Sequence, residues 1–151
     1  SLHRASAYCI RMKAIEVRIY AMTDCPIARK YVPELRRLAA THAGRVRFVA
    51  RTVDDGDARR WAREFAIPFP VSRDVGGREA RAAGVVAVPC AVVLRNGKAV
   101  YRGRIDDRYP ALGVSRPVRR RDLAIAIEQT LKGRPVTVPT IRAIGCLLPP
   151  E

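Results

Sequence analysis

Gly84-Val85-Val86-Ala87-Val88-Pro89-Cys90-Ala91-Val92-Val93-Leu94-Arg95-Asn96-Gly97 is the stretch on which the fold turns. A proline opens a run of β-branched and aliphatic residues and an Asn-Gly pair closes it, the pattern of a hairpin strand entered through a cis X-Pro bond. Well upstream, Thr23-Asp24-Cys25-Pro26 follows an alternating segment, Glu16 to Met22, that reads as a strand with one buried face. A cysteine between a strand and a helix whose first residue is proline stands where a nucleophilic thiolate is expected, at the positive end of the helix dipole.

The elements between and beyond these two segments follow from spacing. Ile27, Tyr31, Leu35 and Leu38 recur at helical period, predicting a helix from 26 to about 42, kinked at Pro33. Residues 46–53 predict a second strand, and Asp54-Asp55-Gly56-Asp57 supplies a turn and an N-cap for a helix around Trp61 and Phe65. The Pro-broken segment 67–74 predicts a short edge strand, and 78–83 a short helix ending at Gly84. The hairpin pairs Cys90–Leu94 with Ala99–Ile105, and Asp122–Leu131 forms a last helix closed by Gly133. The expected organisation is an N-terminal arm (1–15), one domain (16–132) and an extended C-terminal tail (133–151) with four prolines and no sustained period. The order of elements gives an α/β domain with a mixed central sheet flanked by helices.

Composition restricts the function classes. With 151 residues and 48% hydrophobic content the chain buries a core without staples, and no apolar run is long enough to span a membrane. Arg4, Arg11 and Lys13 surround too short an apolar stretch for a signal peptide, so the chain as written is expected to be cytoplasmic, or extracytoplasmic if an upstream signal is removed. The formal charge of +15 raises nucleic acid or an anionic surface as partner, with Arg116 and Arg119-Arg120-Arg121 as the one local cluster. Basic residues are otherwise spread along the chain and aromatics, at 6%, do not interleave with the cluster, which argues against a nucleic-acid partner. His3 and His42 sit at no ligand spacing from Cys25, so no metal site is expected, and His42 reads as a helix C-cap complementing the dipole. Thiol chemistry asks for no cofactor.

The Gly84–Gly97 pattern together with Cys25-Pro26 resembles the thioredoxin superfamily, with 54–83 as the insertion of its peroxiredoxin-like and TlpA-like branches. Cys25-Pro26-Ile27, Tyr101-Arg102-Gly103-Arg104-Ile105-Asp106-Asp107 and Gly145-Cys146 are similar to bacterial redoxin-domain proteins of the AhpC/TSA type. The resemblance implies a thioredoxin-like fold in which Pro89 lies beside the Cys25 sulfur and, with Pro26 and Val88, shapes the substrate groove. It implies a thiol-dependent oxidoreductase acting on a disulfide or a peroxide, with an external thiol as reductant. The chain also departs from these families. There is no CxxC, and Thr23 stands two residues before Cys25 where peroxiredoxins have three, with no upstream proline.

Three further cysteines offer a second sulfur. Cys146, in the tail, is the preferred resolving residue; Cys90 reads as a core thiol near the site, and Cys9 as the least suited. Arg29 and Lys30 could add positive charge near Cys25 and Asp24 would oppose it, while Arg102 or Arg104 could stabilise a sulfur anion or pair with Asp106 or Asp107. A non-catalytic binding module that keeps the fold is the alternative function.

Overall fold

The computed structural model describes residues 14–150. β1 (Ile15–Ala21) leads into α1 (Pro26–Thr41), followed by β2 (Arg47–Thr52), α2 (Ala58–Glu64), β3 (Val71–Arg73), a 3-10 turn (Val75–Gly77) and α3 (Arg78–Ala82). The chain continues through β4 (Ala87–Val88), β5 (Cys90–Arg95), β6 (Lys98–Gly103), α4 (Asp122–Leu131), β7 (Thr140–Ile141) and β8 (Cys146–Leu147).

The main sheet runs β3-β2-β1-β5-β6-β7; β1 is parallel to β2 and antiparallel to β5, so the sheet is mixed. Asn96 and Gly97 both take positive φ, 51° and 79°, as a two-residue hairpin turn with right-handed strand twist requires. Alternation along β5 separates two apolar clusters. Ala91 and Val93 join Val17, Ile19, Tyr31, Leu35, Leu123 and Ile127 on the face covered by α1 and α4. Cys90 and Val92 join Tyr20, Cys25, Trp61, Ala80 and Val88 on the other. The central strands are therefore covered on both sides, and β1 buries Tyr20 as well as Val17 and Ile19, where alternation alone predicted one buried face.

α1 runs unbroken through Pro33. Asp57 caps α2 by accepting from the Arg60 amide at 3.0 Å. The segment after 132, expected to be extended and to lie on the body or be partly free, is paired to the body at two points. Residues 140–141 add a parallel strand beside β6, and 146–147 pair antiparallel with β4, Ala87 opposite Leu147 and Val88 opposite Cys146. Gly103 permits the first of these contacts, because a Cβ there would overlap the Ile141 carbonyl.

His42 is the C-cap residue of α1, as expected, but not as a cation that complements the dipole. It is buried, its Nδ1 has no hydrogen-bond partner, and burial first, then Arg45, lowers its pKa, so the neutral imidazole is favoured. The Arg116–Arg121 cluster is largely engaged within the fold. Arg116 pairs with Asp107, Arg120 with Asp122 and Arg121 with Glu34. Among the described residues no helix is long and apolar enough to cross a membrane.

Candidate functional site: two cysteines beside a cis proline

Cys25 is the N-cap residue of α1 and Pro26 opens the helix, where its missing N–H costs no intrahelical bond. The Cys25 thiol is buried, 1% exposed, and lies 4.0 Å from the Val88 carbonyl oxygen, towards which it donates. The Val88–Pro89 peptide is cis. The positive end of the α1 dipole favours negative charge on a sulfur at this point.

Cys146 lies 121 positions later, and its Sγ is 3.1 Å from that of Cys25, about 1 Å beyond the ~2.05 Å of a disulfide bond. Four contacts of the tail hold it there. β8 pairs with β4, the Leu148 amide donates to the Val86 carbonyl at 3.1 Å, Arg81 donates to the Pro149 carbonyl, and Leu148 packs into the Cys25 cluster. Gly145 lies flat against the cis peptide. A Cβ at this position would stand 2.7 Å from the Val88 carbonyl carbon, closer still to its oxygen, and 3.2 Å from Pro89 Cδ. Sequence reasoning missed Gly145 as a packing requirement; the adjacent Gly-Cys pair was the available signal.

β4 is itself suspended from α3. The buried Asp74 carboxylate accepts from the amides of Glu79 and Ala80 at 3.0 and 2.9 Å, capping that short helix. Glu79 accepts from the Tyr20 hydroxyl at 2.9 Å and pairs with Arg18 and Arg51, tying α3 to β1 and β2. Gly84, at φ +78°, then turns the chain into β4.

The two thiols differ in environment. Cys146 is part-exposed, whereas Cys25 is enclosed. The Cys146 pKa is pushed up to about 11, first by burial, then by its hydrogen bond to Cys25 and by the charges of Cys25 and Asp24. Cys90 is a core residue on the same side of the sheet. Its thiol donates to the Ala91 carbonyl at 3.8 Å, and burial pushes its pKa up to about 12.

The other candidates are engaged elsewhere. Arg29 stacks over the Phe65 ring at 5.3 Å and Lys30 over Tyr109 at 5.9 Å. Arg102 donates to the Ala83 carbonyl at 3.2 Å and Arg104 pairs with Asp122 at 2.6 Å; the expected partners Asp106 and Asp107 instead bind Tyr31 and Arg116. Thr23 is held by Asp54, which accepts from its amide at 3.0 Å and from its hydroxyl. Cys9 lies outside the described residues.

A mixed sheet with a helix starting at a strand-end cysteine, opposed by a cis proline, decides the architecture. The fold is thioredoxin-like. An uncharacterized conserved protein from Geobacillus kaustophilus superposes with a TM-score of 0.78 at 29% identity, covering 92% of this chain and 78% of that one. A hypothetical protein from Sinorhizobium meliloti superposes at 0.75 with 23% identity over 95% and 82% of the two chains. The thioredoxin domain of a thiol-disulfide oxidoreductase from Bacteroides vulgatus superposes at 0.57 with 14% identity over 80% and 81%. No family model and no curated protein matches the chain.

Proposed function

We propose that Cys25 and Cys146 form a reversible dithiol–disulfide couple and that the protein is a thiol-disulfide oxidoreductase. The observation that carries this is the 3.1 Å separation of the two sulfurs at the start of α1, beside the Val88 carbonyl and the cis proline. Oxidation removes two electrons and two protons from the thiols; a disulfide acceptor takes both and leaves as two thiols. Cys25, with the helix dipole behind it, supplies the thiolate that closes the bond, and Cys146 supplies the second sulfur. Val88, Pro89 and Pro26 frame the pair, and Cys90 stays outside the exchange. The thiol-disulfide oxidoreductase named among the structural neighbours is consistent with this assignment. An external thiol returns the couple to the reduced state.

The test compares wild type with Cys25→Ser and Cys146→Ser in turnover of a model disulfide at the expense of a small thiol, with hydrogen peroxide as a parallel acceptor. Loss of turnover in both variants, with Cys90→Ala active, is the expected result. Activity on peroxide alone would assign the couple to peroxide reduction. Cysteines that stay unmodified by both acceptors would leave a binding module.

A further inference from the structure

We infer that the external thiol that reopens the Cys25–Cys146 disulfide attacks Cys146 and expels Cys25. The inference rests on the redox couple proposed above and names the sulfur at which its reducing partner enters.

Thiol–disulfide exchange places three sulfurs nearly in line, the incoming thiolate opposite the leaving sulfur, and its rate depends on which sulfur is accessible. Attack on Cys25 would require approach from the side opposite Cys146. Cys25 packs in the apolar cluster of Tyr20, Ala28, Val53 and Val88 and is 1% exposed, so its sulfur offers no open approach. Attack on Cys146 needs the opposite approach, and Cys146 is part-exposed, the more accessible of the two sulfurs. Closing the sulfurs from 3.1 Å to bonding distance does not exchange these two sides.

Leaving-group chemistry points the same way, because a sulfur whose anion is better stabilised leaves faster. Cys25 departs at the start of α1, where the helix dipole favours a sulfur anion, whereas burial first, then Cys25 and Asp24, push the Cys146 pKa up to about 11. The incoming thiolate forms a bond to Cys146 Sγ, the Cys25–Cys146 bond breaks, and its electron pair remains on Cys25. A second thiol then attacks the mixed disulfide, releases the small disulfide and leaves both cysteines reduced.

The experiment uses the oxidised full-length protein, 2-mercaptoethanol as probe, and rapid quenching with excess N-ethylmaleimide before peptide mapping. The expected product carries mercaptoethanol on Cys146 and maleimide on Cys25. The reverse pattern, or equal amounts of the two, overturns the inference. If oxidation yields no Cys25–Cys146 bond, the couple itself fails, which mapping before the thiol is added distinguishes.

A second measurement covers an adduct too short-lived to trap. Leu147→Glu places a negative charge on the exposed side of β8, and should slow reduction by 3-mercaptopropionate and speed reduction by cysteamine by about threefold each. An unchanged ratio of the two rates means that the thiol enters elsewhere.

Discussion

Gly145→Ala is the substitution that most sharply separates the presence of the two cysteines from their placement. The added Cβ would meet the Val88 carbonyl carbon at 2.7 Å and Pro89 Cδ at 3.2 Å, and both neighbours are fixed, one by the backbone and one by the proline ring. Relief requires the tail to move outward on the order of 1 Å, a displacement that can lower the rate of an oriented reaction by about 100-fold. Lifting β8 away from β4 would also sacrifice roughly two backbone hydrogen bonds at about 1 kcal/mol each, which lowers the closed population about 30-fold. Formation of the Cys25–Cys146 bond after one equivalent of oxidised glutathione is therefore expected to slow by about 30- to 100-fold. Global stability should change little, because β8 holds one edge of a two-stranded pair and the main sheet closes without it. The assay is timed alkylation with mass analysis, alongside urea denaturation. Bond formation at the wild-type rate in Gly145→Ala would refute the reasoning.

Other consequences concern the scaffold and the third thiol. Tyr31→Phe removes the hydroxyl that donates to Asp106 at 2.6 Å in the interior, and should cost about 1–2 kcal/mol in urea denaturation with the cysteine chemistry intact. The His42 pKa is lowered in the folded protein, so its contribution is complete above the unfolded value near ~6.5 and is lost as pH falls toward the folded value; His42→Leu should flatten stability measured between about pH 7 and 5. Cys90, buried and with its thiol pushed up to about 12, should remain unlabelled by iodoacetamide in the native protein at pH 8 while Cys146 is labelled, and should react once the chain is unfolded.

The parts of the fold legible in the sequence are those governed by local rules. Asn96-Gly97 dictates its own backbone conformation, Asp57 caps the helix it precedes, and Leu123, Ile127 and Leu131 mark the face of α4 through their spacing. Cys25-Pro26 is similarly local, because proline at the first helical position fixes where the helix begins and so where the sulfur sits.

Pairing that depends on the backbone leaves much less trace. β7 and β8 are two residues each and carry no alternating pattern, since their partners are the main chains of β6 and β4 and not a hydrophobic face. For the same reason the sequence offered Cys146 as a candidate but not its register against Val88, nor Gly145 as the residue that permits it. Charge partners were equally hidden. Alternation places Arg102 of β6 and Arg104 just beyond it on one face, yet a carbonyl of the α3 terminus and an aspartate of α4 capture them, and neither lies nearby in sequence.

The most direct measurement is a non-reducing peptide map of the full-length protein equilibrated across a glutathione redox series. The account predicts one cross-linked peptide, Cys25 to Cys146, that appears and disappears reversibly with the ratio of oxidised to reduced glutathione while Cys90 stays a free thiol. Cys25 and Cys146 remaining unlinked at every ratio, or a bond from either of them to Cys90, would contradict it.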